Sequence, residues 1–302
     1  MVNDRFDLDP AVRANVLNWE GEAGAAWLRA LPAVVEALGV RWELHDFGAP
    51  LPGGSHSYVV PVRYPAGAAV LKLPLLGDEN RLEPEALRVY DGDGAVRLLR
   101  HDPDSGAMLL EACSPGMPLG DHGDREAAID IACGLLRRLR REPPVGHSFT
   151  TVASRAAGWA GEFEAELRRD VRDGPRPLVE EAAYLARGLA VDARPGVLVN
   201  RDAHRGNFLA AEREPWLLID PKPLVGDPAF DAGYLLADLA GGSPDQSDVQ
   251  HLVARLAAGL QVEAERVRAW ALIRAVDNIF WFRDMGQAAP AETRLAEALR
   301  SG

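Results

Sequence analysis

Asp202 and Asn207 are the residues whose types and spacing first indicate chemistry. They lie five positions apart in the segment NRDAHRGN, which follows the apolar run 197–199. The same offset separates the acid and the amide of kinase catalytic loops, where the aspartate orients the attacking hydroxyl and accepts its proton while the asparagine holds a metal ion. The pair therefore predicts phosphoryl transfer, with Asp202 engaging the acceptor hydroxyl and Asn207 as a metal ligand.

Asp220 is the second candidate metal ligand. It ends the apolar run 216–219, which follows the runs at 197–199 and around Phe208. Because Mg²⁺ prefers a few hard oxygen ligands together with phosphate oxygens and water, one asparagine and one aspartate suffice for it. A lone aspartate at a strand end is usually a turn or cap residue. The succession of such features within 197–231 nevertheless favours catalysis.

His204, Asp227 and Asp231 complete this constellation. For His204 we favour a structural role, in which hydrogen bonds of the ring brace the loop, over proton transfer. Asp227 is expected to brace the catalytic loop through backbone N–H groups. Asp231 is expected to cap the helix that it begins. Both aspartates are therefore interpreted first as structural residues.

Short strands are expected to present these groups. The apolar runs of this region are brief, rich in branched residues, and closed by polar or glycine-containing turns. This pattern is typical of short strands rather than helices. Each strand is therefore expected to deliver polar groups to one place.

Lys72 interrupts another apolar strand, VLKL at 70–73. An ammonium group there costs desolvation free energy unless it binds anions. In kinases these anions are the nucleotide phosphates and a glutamate of the following helix. We expect Glu85 to be this partner, because Glu83 stands at the helix start and better matches a cap. The alternative is an edge-strand lysine whose ammonium reaches solvent.

The pattern of elements changes near residue 113. Before it, two helical patterns cover 10–38, and Gly39 is expected to end the second. A strand-rich region follows. Its Gly53-Gly54 turn would let backbone N–H groups approach phosphate. On its own that turn is a weak signal, because such pairs also close hairpins. Strands are expected at 42–46, 58–62, 70–73, 95–99 and 107–111, and helices after the break at 125–141, 152–172, 177–189 and from 231.

This order of elements predicts an α+β fold of two lobes. Residues 1–112 form a small, strand-rich, nucleotide-binding lobe with leading helices. Residues 113–302 form a larger, mainly helical lobe that carries the catalytic loop and the acceptor site. A chain of 302 residues with 47% hydrophobic residues is sufficient to bury a core of this size.

The composition narrows the classes of partner. With 33 basic and 45 acidic residues the net charge is −12, which disfavours nucleic acid and anionic membranes. A cationic small molecule suits this charge, although acidic compositions also arise without such a meaning. Cys113 and Cys133 have no paired spacing, so reduced thiols are expected rather than a disulfide or zinc site. The sequence MVNDRFDLDP is not a signal peptide and no window approaches 18 consecutive apolar residues, so we predict a cytoplasmic enzyme.

Several segments resemble the aminoglycoside/hydroxyurea antibiotic resistance kinase family. The resemblance implies the protein-kinase-like fold of aminoglycoside phosphotransferases, with ATP and Mg²⁺ as cofactors. It also implies that backbone groups from Glu111 to Cys113 meet the adenine. The segments span nearly the whole chain and read WEL at 42–44, DGDGAVRLL at 91–99, LAAEREPW at 209–216, IDPKPLVGDP at 219–228 and RAVDN at 274–278.

The catalytic loop departs from the family pattern. Members of the family usually have His-Gly-Asp or His-Trp-Asp followed by Leu-His. This chain has Asn200-Arg201-Asp202 followed by Ala203-His204. The acid, the histidine and the asparagine are present while their neighbours differ, so the open alternatives concern the acceptor more than the reaction.

One helix in the final third is expected to contact the acceptor. Asp277, Asn278 and Trp281 recur at helical spacing beside an apolar face. An acidic group next to tryptophan suits a guanidinium or ammonium substrate through charge-assisted hydrogen bonds and cation–π contact. Packing of the tryptophans in the core is the alternative. Asp231 is a further candidate for contact with the substrate.

The resemblance implies that the enzyme phosphorylates a hydroxyl of an aminoglycoside such as streptomycin, giving antibiotic resistance. One alternative is a kinase for another small hydroxyl compound, hydroxyurea or an amino sugar. Another is a nucleotide-binding pseudokinase that regulates a partner. The joint presence of Lys72, Asp202, Asn207 and Asp220 argues against the pseudokinase.

Overall fold

The computed structural model describes Leu8 and residues 10–52, 56–77, 80–169, 175–192, 196–242 and 244–300. The chain splits into two compact units, Met1–Gly116 and Met117–Gly302. The glycine turn expected at Gly53-Gly54 lies outside the described residues. The functions assigned above to the two lobes stay predictions.

The first unit begins with a long helix, α1 (Pro10–Trp42), that is broken at Gly21. Gly21 has φ 51° and ψ −122°, a conformation that glycine reaches without the steric cost of a Cβ atom. Two helical segments therefore meet there, in agreement with the two predicted helical patterns. The prediction that Gly39 ends the second segment is wrong, because the helix continues to Trp42, whose side chain is buried.

Four antiparallel strands form the sheet of the first unit, in the order β1-β2-β4-β3. Lys72 pairs with Val59 of β1 and with Met108 of β4, so it lies on an inner strand. The edge-strand alternative for this lysine is therefore wrong. The elements are β1 (Ser57–Tyr64), β2 (Gly67–Pro74), α2 (Glu83–Tyr90), β3 (Leu98–His101) and β4 (Met108–Glu111).

The strand predictions for this unit hold in part. Those at 58–62, 70–73 and 107–111 are confirmed by β1, β2 and β4. The strand expected at 95–99 begins only at Leu98. The strand expected at 42–46 is wrong, because α1 extends to Trp42 and His45 makes only an isolated bridge with Arg63.

The second unit is mainly helical. Helix α8 packs against α5, α6, α7 and α9, and its buried residues include Trp270 and Ile273. The predicted helices at 125–141, 152–172 and 177–189 correspond to α3, α4 and α5, with 170–174 outside the described residues. The helices are α3 (Arg125–Leu139), α4 (Val152–Arg168), α5 (Arg176–Val191), α6 (Phe230–Ala240), α7 (Gln246–Leu260), α8 (Ala264–Asp284) and α9 (Pro290–Arg300).

Two small antiparallel sheets interrupt these helices. Strand β5 (Val197–Asn200) pairs with β8 (Pro223–Gly226), and β6 (Phe208–Ala210) pairs with β7 (Trp216–Leu218). The three short strands predicted around the catalytic residues are confirmed by β5, β6 and β7, whereas β8 was not predicted. These sheets hold the segment 197–226 in which the polar constellation lies.

One described helix segment, Val12–Trp42 of α1, is long and apolar enough to cross a membrane by length and composition alone. The test for consecutive apolar residues missed it, because polar residues are interspersed along the segment. Leu31, Val35 and Leu38 of the same helix belong to the core of the first unit. Since core helices also pass a test of length and composition, this segment is weak evidence for a membrane span.

Candidate active site

Asp202 lies two residues after the end of β5 (Val197–Asn200), and the pairing of β5 with β8 fixes its position. Asn200 at the end of β5 lies opposite Pro223, and the N–H of Arg201 donates to the carbonyl of Lys222 at 3.0 Å. A short 3₁₀ helix, Arg205–Asn207, then leads into β6. The catalytic loop is thus held at both ends by strands.

Asp202 and Asn207 are brought together as their spacing predicts. The side-chain amide of Asn207 donates to the backbone carbonyl of Asp202 at 3.0 Å, and both side chains are buried. Because this bond uses the amide nitrogen, the side-chain oxygen of Asn207 is the atom suited to a metal ion. The loop is therefore closed in the form that the predicted chemistry needs.

Asp220 is delivered by the β6–β7 hairpin. The N–H of Ile219 donates to the carbonyl of Asn207 at 2.9 Å, which ties the residue before Asp220 to the other candidate metal ligand. Asp220 itself has φ 49°, in the left-handed region that aspartate tolerates better than most residues. The backbone therefore holds the two candidate ligands on neighbouring strands.

The donor set of Asn207 and Asp220 fits Mg²⁺. The described residues contain no group of three or more His, Cys, Asp or Glu side chains that could hold a metal ion. A soft or fully protein-ligated metal is therefore a poor match within that part of the chain. One carboxylate and one amide oxygen suit Mg²⁺, which takes its remaining ligands from phosphate and water.

Lys222 is a site residue that the sequence analysis missed. Its Nζ lies 2.6 Å from Oδ2 of Asp202, and both side chains are largely shielded from solvent. A signal was available, because Lys222 is one of only two lysines among the 33 basic residues of the chain. The reason it was missed is that β8, which fixes the direction of this side chain, was not predicted.

Asn200 links the catalytic loop to the segment after Asp220. Its side-chain oxygen accepts hydrogen bonds from the backbone N–H groups of Asp202 at 3.1 Å and Lys222 at 2.9 Å. Its buried Nδ2 has no hydrogen-bond partner in the part of the chain that the structure describes. The residue that departs from the family pattern therefore positions two charged site residues.

Asp231 lies behind Asn200 and is fully buried. Its Oδ1 accepts the backbone N–H of Asn200 at 2.7 Å. Burial raises the pKa of this carboxyl to about 7, although the hydrogen bond from Asn200 and the charge of Arg140 act in the opposite direction. The prediction that Asp231 caps its helix is wrong, because the side chain turns toward Asn200 and the cap position is Ala229. Substrate contact at Asp231 stays a prediction.

Asp227 also differs from its predicted role. Its carboxylate accepts the indole N–H of Trp270 at 2.6 Å, a guanidinium N–H of Arg266 at 2.6 Å and the backbone N–H of Ala229 at 3.0 Å. The first two donors belong to α8 rather than to the catalytic loop. Asp227 therefore anchors the end of β8 to α8, and the prediction that it braces the loop is wrong.

The side chain of His204 is 33% exposed and hydrogen-bonds within the catalytic loop. Its Nδ1 accepts the backbone N–H of Gly206 at 3.1 Å, so a neutral ring carries its proton on Nε2. The ring centroid lies 5.9 Å from that of Tyr234. Burial and then the charge of Asp202 raise the pKa of Tyr234. These contacts agree with the bracing role that we favour for His204.

In the first unit, Lys72 pairs with Glu83 rather than with Glu85. The ammonium lies 2.8 Å and 2.7 Å from the two carboxylate oxygens of Glu83, and both residues are buried. The prediction of Glu85 is therefore wrong. Glu83 is the first residue of α2 and faces the sheet, whereas Glu85 is only half-buried.

Glu111 and Cys113, expected near the adenine, lie at the end of β4 and just beyond it. A carboxylate oxygen of Glu111 accepts the backbone N–H of Arg97 at 3.0 Å. Cys113 is half-buried, and the following Ser114-Pro115 peptide bond is cis. Cys133 in α3 is buried, and this burial raises the pKa of its thiol to about 12. Cys113 and Cys133 are not joined by a disulfide, and the adenine role stays a prediction.

The predicted acceptor residues lie on α8, but the negative charge of Asp277 is already balanced. Asp277 is 2.7 Å from Arg274 and 3.6 Å from Arg155. The guanidinium of Arg274 also stacks over Tyr234, at 4.9 Å from the ring centroid. Asn278 is half-buried, while Trp281 is exposed at 50%. A cationic substrate at Asp277 would therefore compete with two guanidinium groups.

The sequence of this chain is similar to known kinases of small molecules. The aminoglycoside/hydroxyurea antibiotic resistance kinase family matches residues 41–286. Streptomycin 6-kinase of Streptomyces glaucescens is 39% identical over 297 residues, which cover 93% of this chain and 92% of that relative. Hydroxyurea phosphotransferase of Kitasatospora aureofaciens is 38% identical over 287 residues, which cover 93% and 82%.

Solved structures share the fold at much lower sequence identity. A thermostable mutant of aminoglycoside phosphotransferase APH(4)-Ia, in a ternary complex with ADP and hygromycin B, is 15% identical with a TM-score of 0.64, over 89% of this chain and 99% of that one. Choline kinase LicA from Streptococcus pneumoniae is 14% identical with a TM-score of 0.63, over 91% and 100%. The predicted protein-kinase-like α+β fold is confirmed.

Proposed function

We propose a function from the fact that this chain belongs to the aminoglycoside/hydroxyurea antibiotic resistance kinase family. It phosphorylates a hydroxyl of an aminoglycoside such as streptomycin and so confers antibiotic resistance. It is a small-molecule O-phosphotransferase that uses ATP. The observation that carries the proposal is the loop in which Asn207 bonds to the backbone of Asp202 while Ile219 bonds to Asn207. We expect a loop held in this way to catalyse phosphoryl transfer, unlike the loop of a pseudokinase.

Asp202 is the residue that engages the acceptor. Its carboxylate orients the attacking hydroxyl and takes its proton as the new oxygen–phosphorus bond forms. The bond between the γ-phosphorus and the bridging oxygen of ATP breaks, and ADP leaves. Since positioning and charge neutralisation supply most of the rate in such reactions, the backbone bonds that hold Asp202 matter as much as its carboxylate.

Asn207 and Asp220 would hold Mg²⁺ through their side-chain oxygens. When bound, the ion supplies positive charge that neutralises the phosphate oxygens of the nucleotide. In the first unit, Lys72 binds nucleotide phosphates and Glu83 orients its ammonium. Glu111 and Cys113 contribute backbone groups to adenine binding.

The acceptor residues proposed on α8 are Asp277, Asn278 and Trp281. The exposed face of Trp281 suits a guanidinium of streptomycin by cation–π contact. The net charge of −12 also favours the approach of a polycation. Asn278 would contribute hydrogen bonds from a half-buried position.

A second candidate acceptor is hydroxyurea, or another small hydroxyl compound. The observation in its favour is that Arg274 and Arg155 already neutralise Asp277, which weakens the case for a cationic acceptor at that residue. The similarity to a hydroxyurea phosphotransferase points in the same direction. A cytoplasmic location is proposed for either acceptor.

The test is release of ADP from purified protein with Mg²⁺ and ATP, across streptomycin, other aminoglycosides, hydroxyurea and amino sugars. We expect turnover with streptomycin that the variant Asp202→Ala lacks while it still binds ATP. Turnover only with hydroxyurea would favour the second candidate. Binding of ATP without turnover on any compound would contradict the proposed function and favour a pseudokinase.

A further inference from the structure

Lysine is almost absent from this chain. Of its 33 basic residues, only Lys72 and Lys222 are lysines, and the other 31 are arginines. Each of the two lysines forms an ion pair with a carboxylate, Lys72 with Glu83 in the first unit and Lys222 with Asp202 in the second. Because a compact ammonium and a planar guanidinium are not interchangeable, lysine at these two positions indicates a geometric requirement. Lys72 already has a role, whereas Lys222 has none.

The backbone of Lys222 is fixed from both sides. Its N–H donates to the side-chain oxygen of Asn200 at 2.9 Å, and its carbonyl accepts the N–H of Arg201 at 3.0 Å. Its ammonium reaches Oδ2 of Asp202 at 2.6 Å, with the lysine side chain 20% exposed and the aspartate side chain 13% exposed. A shielded ion pair is a weak source of stability, since desolvation offsets its attraction. The fixed position of this ammonium therefore favours a role in the reaction.

Phosphoryl transfer creates an electrostatic need at this point of the site. Asp202 carries a negative charge and must stand close to the acceptor hydroxyl that attacks the phosphoryl group, whose three equatorial oxygens are also negative. A cation between the carboxylate and the phosphoryl group relieves this repulsion. An ammonium has three donors, so it can hold Asp202 with one and a phosphoryl oxygen with another.

We infer that Lys222 is a further catalytic residue, whose ammonium contacts the phosphoryl group in transfer while it stays paired with Asp202. The inference rests on the proposed phosphotransfer function but not on the identity of the acceptor. Lys222 keeps its proton throughout. The acceptor proton goes to Asp202, the oxygen–phosphorus bond to the acceptor forms, and ADP leaves with the bridging oxygen.

The kinetic test compares Lys222→Met and Lys222→Arg with wild type. We expect kcat to fall about 10²- to 10³-fold in Lys222→Met, the usual effect of removing one transition-state donor. The KM for ATP should change less than about threefold, because the contact strengthens only in the transition state. Lys222→Arg should not restore kcat, since the longer fork cannot occupy the same point.

The matched control is Arg268→Met. Arg268 lies in the same unit and pairs with Glu181 at 3.1 Å, with side-chain exposures of 19% and 26% that resemble those of the Lys222–Asp202 pair. We expect its kcat to stay near that of wild type. A similar loss of kcat in Arg268→Met and Lys222→Met would reduce Lys222 to a contributor to stability and overturn the inference.

A binding measurement separates phosphoryl contact from mere positioning of Asp202. Aluminium fluoride with MgADP mimics the transferring phosphoryl group and needs no acceptor. Its addition should tighten MgADP binding in wild type and in Asp202→Asn, but about tenfold less in Lys222→Met. If Lys222 acts only through Asp202, the gain in MgADP affinity will fall by the same amount in Asp202→Asn, in Lys222→Met and in the variant that combines them. That result would overturn the inference.

The outcomes for wild type separate this inference from the proposed function. If wild type binds MgADP, but aluminium fluoride does not raise its affinity for MgADP and ATP is not turned over, both the inference and the proposed function are overturned. Tightening that is equal in wild type and Lys222→Met would overturn only the role of Lys222. If wild type is inactive toward streptomycin but aluminium fluoride tightens MgADP binding in a way that depends on Lys222, the acceptor is another compound and the inference is supported.

Discussion

Lys72 donates hydrogen bonds to both carboxylate oxygens of Glu83, at 2.8 and 2.7 Å, and the pair is buried in the first unit. The strand that carries Lys72 has neighbours on both sides, so the ammonium has no route to solvent along a sheet edge. Glu83 therefore decides whether this ammonium is held in place when nucleotide is absent.

Substitution of Glu83 should weaken both stability and nucleotide binding. Glu83→Gln removes the charge that pairs with this buried ammonium, and breaking a buried ion pair costs about 3–5 kcal/mol of unfolding free energy. Glu85→Gln, two residues along the same helix and half-buried, is the matched control and should change little. Denaturant unfolding and titration with MgATP measure both effects, and equal losses in the two variants would contradict the assignment of the pair.

Loss of the Asn200 side chain should slow the chemical step. Asn200→Ala leaves the N–H groups of Asp202 and Lys222 without their shared acceptor. At about 1–3 kcal/mol for a buried unsatisfied group, we expect kcat to fall about ten- to a hundredfold. Asn80→Ala, which also removes two hydrogen bonds but in the first unit, is the control. A kcat unchanged in Asn200→Ala would show that the side chain does not position the loop.

The stability of the protein should depend on pH through Asp231. The pKa of this carboxyl is about 7 in the folded protein and 3.8 in its ordinary state, so the folded state binds the proton more tightly. The contribution of Asp231 to the unfolding free energy is therefore full below about pH 4. It falls by on the order of a few kcal/mol as the pH rises to about 7. Arg140 and Asp227 are the charged groups that face it.

Asp231→Asn tests this dependence. The variant keeps an oxygen for the N–H of Asn200 but does not titrate, so its unfolding free energy should fall less between pH 4 and pH 7 than that of wild type. Asp248→Asn, which breaks a solvent-exposed pair with Arg125, is the control. Parallel pH profiles for wild type and Asp231→Asn would contradict the raised pKa.

Trp281 should affect the acceptor but not ATP. Loss of one cation–π contact of about 0.5–2 kcal/mol predicts a two- to thirtyfold higher KM for streptomycin in Trp281→Ala. Trp19→Ala is the matched control, because Trp19 is also partly exposed, at 38%, but lies on α1. Steady-state kinetics with each substrate varied provide the measurement. A KM raised for ATP alone would contradict acceptor contact at Trp281.

The catalytic loop could be predicted from the sequence because its signals are local. Short apolar runs that end at Asp202 and Asp220 specify strands and the groups at their ends, and the five-residue offset to Asn207 specifies the loop between them. None of these inferences needs the position of a distant element. The structure brings Asp202 and Asn207 into direct contact as that spacing requires.

The errors concern residues whose roles depend on distant packing. Glu83 and Glu85 occupy the same helical turn, and only the position of α2 against the sheet decides which one faces Lys72. Lys222 precedes a four-residue strand that begins with proline, a weak strand signal. Asp231 stands at a helix start, as a cap would, but β5 passes close enough for Asn200 to donate to it instead.

The most direct test of the central claim is ³¹P NMR of streptomycin incubated with the protein, Mg²⁺ and ATP, beside the same reaction with Asp202→Ala. The account predicts a phosphate-ester resonance on streptomycin and matched formation of ADP with wild type, and neither with the variant. Ester formation that persists at the wild-type rate in Asp202→Ala would contradict it, because the acceptor hydroxyl would then be activated by another residue.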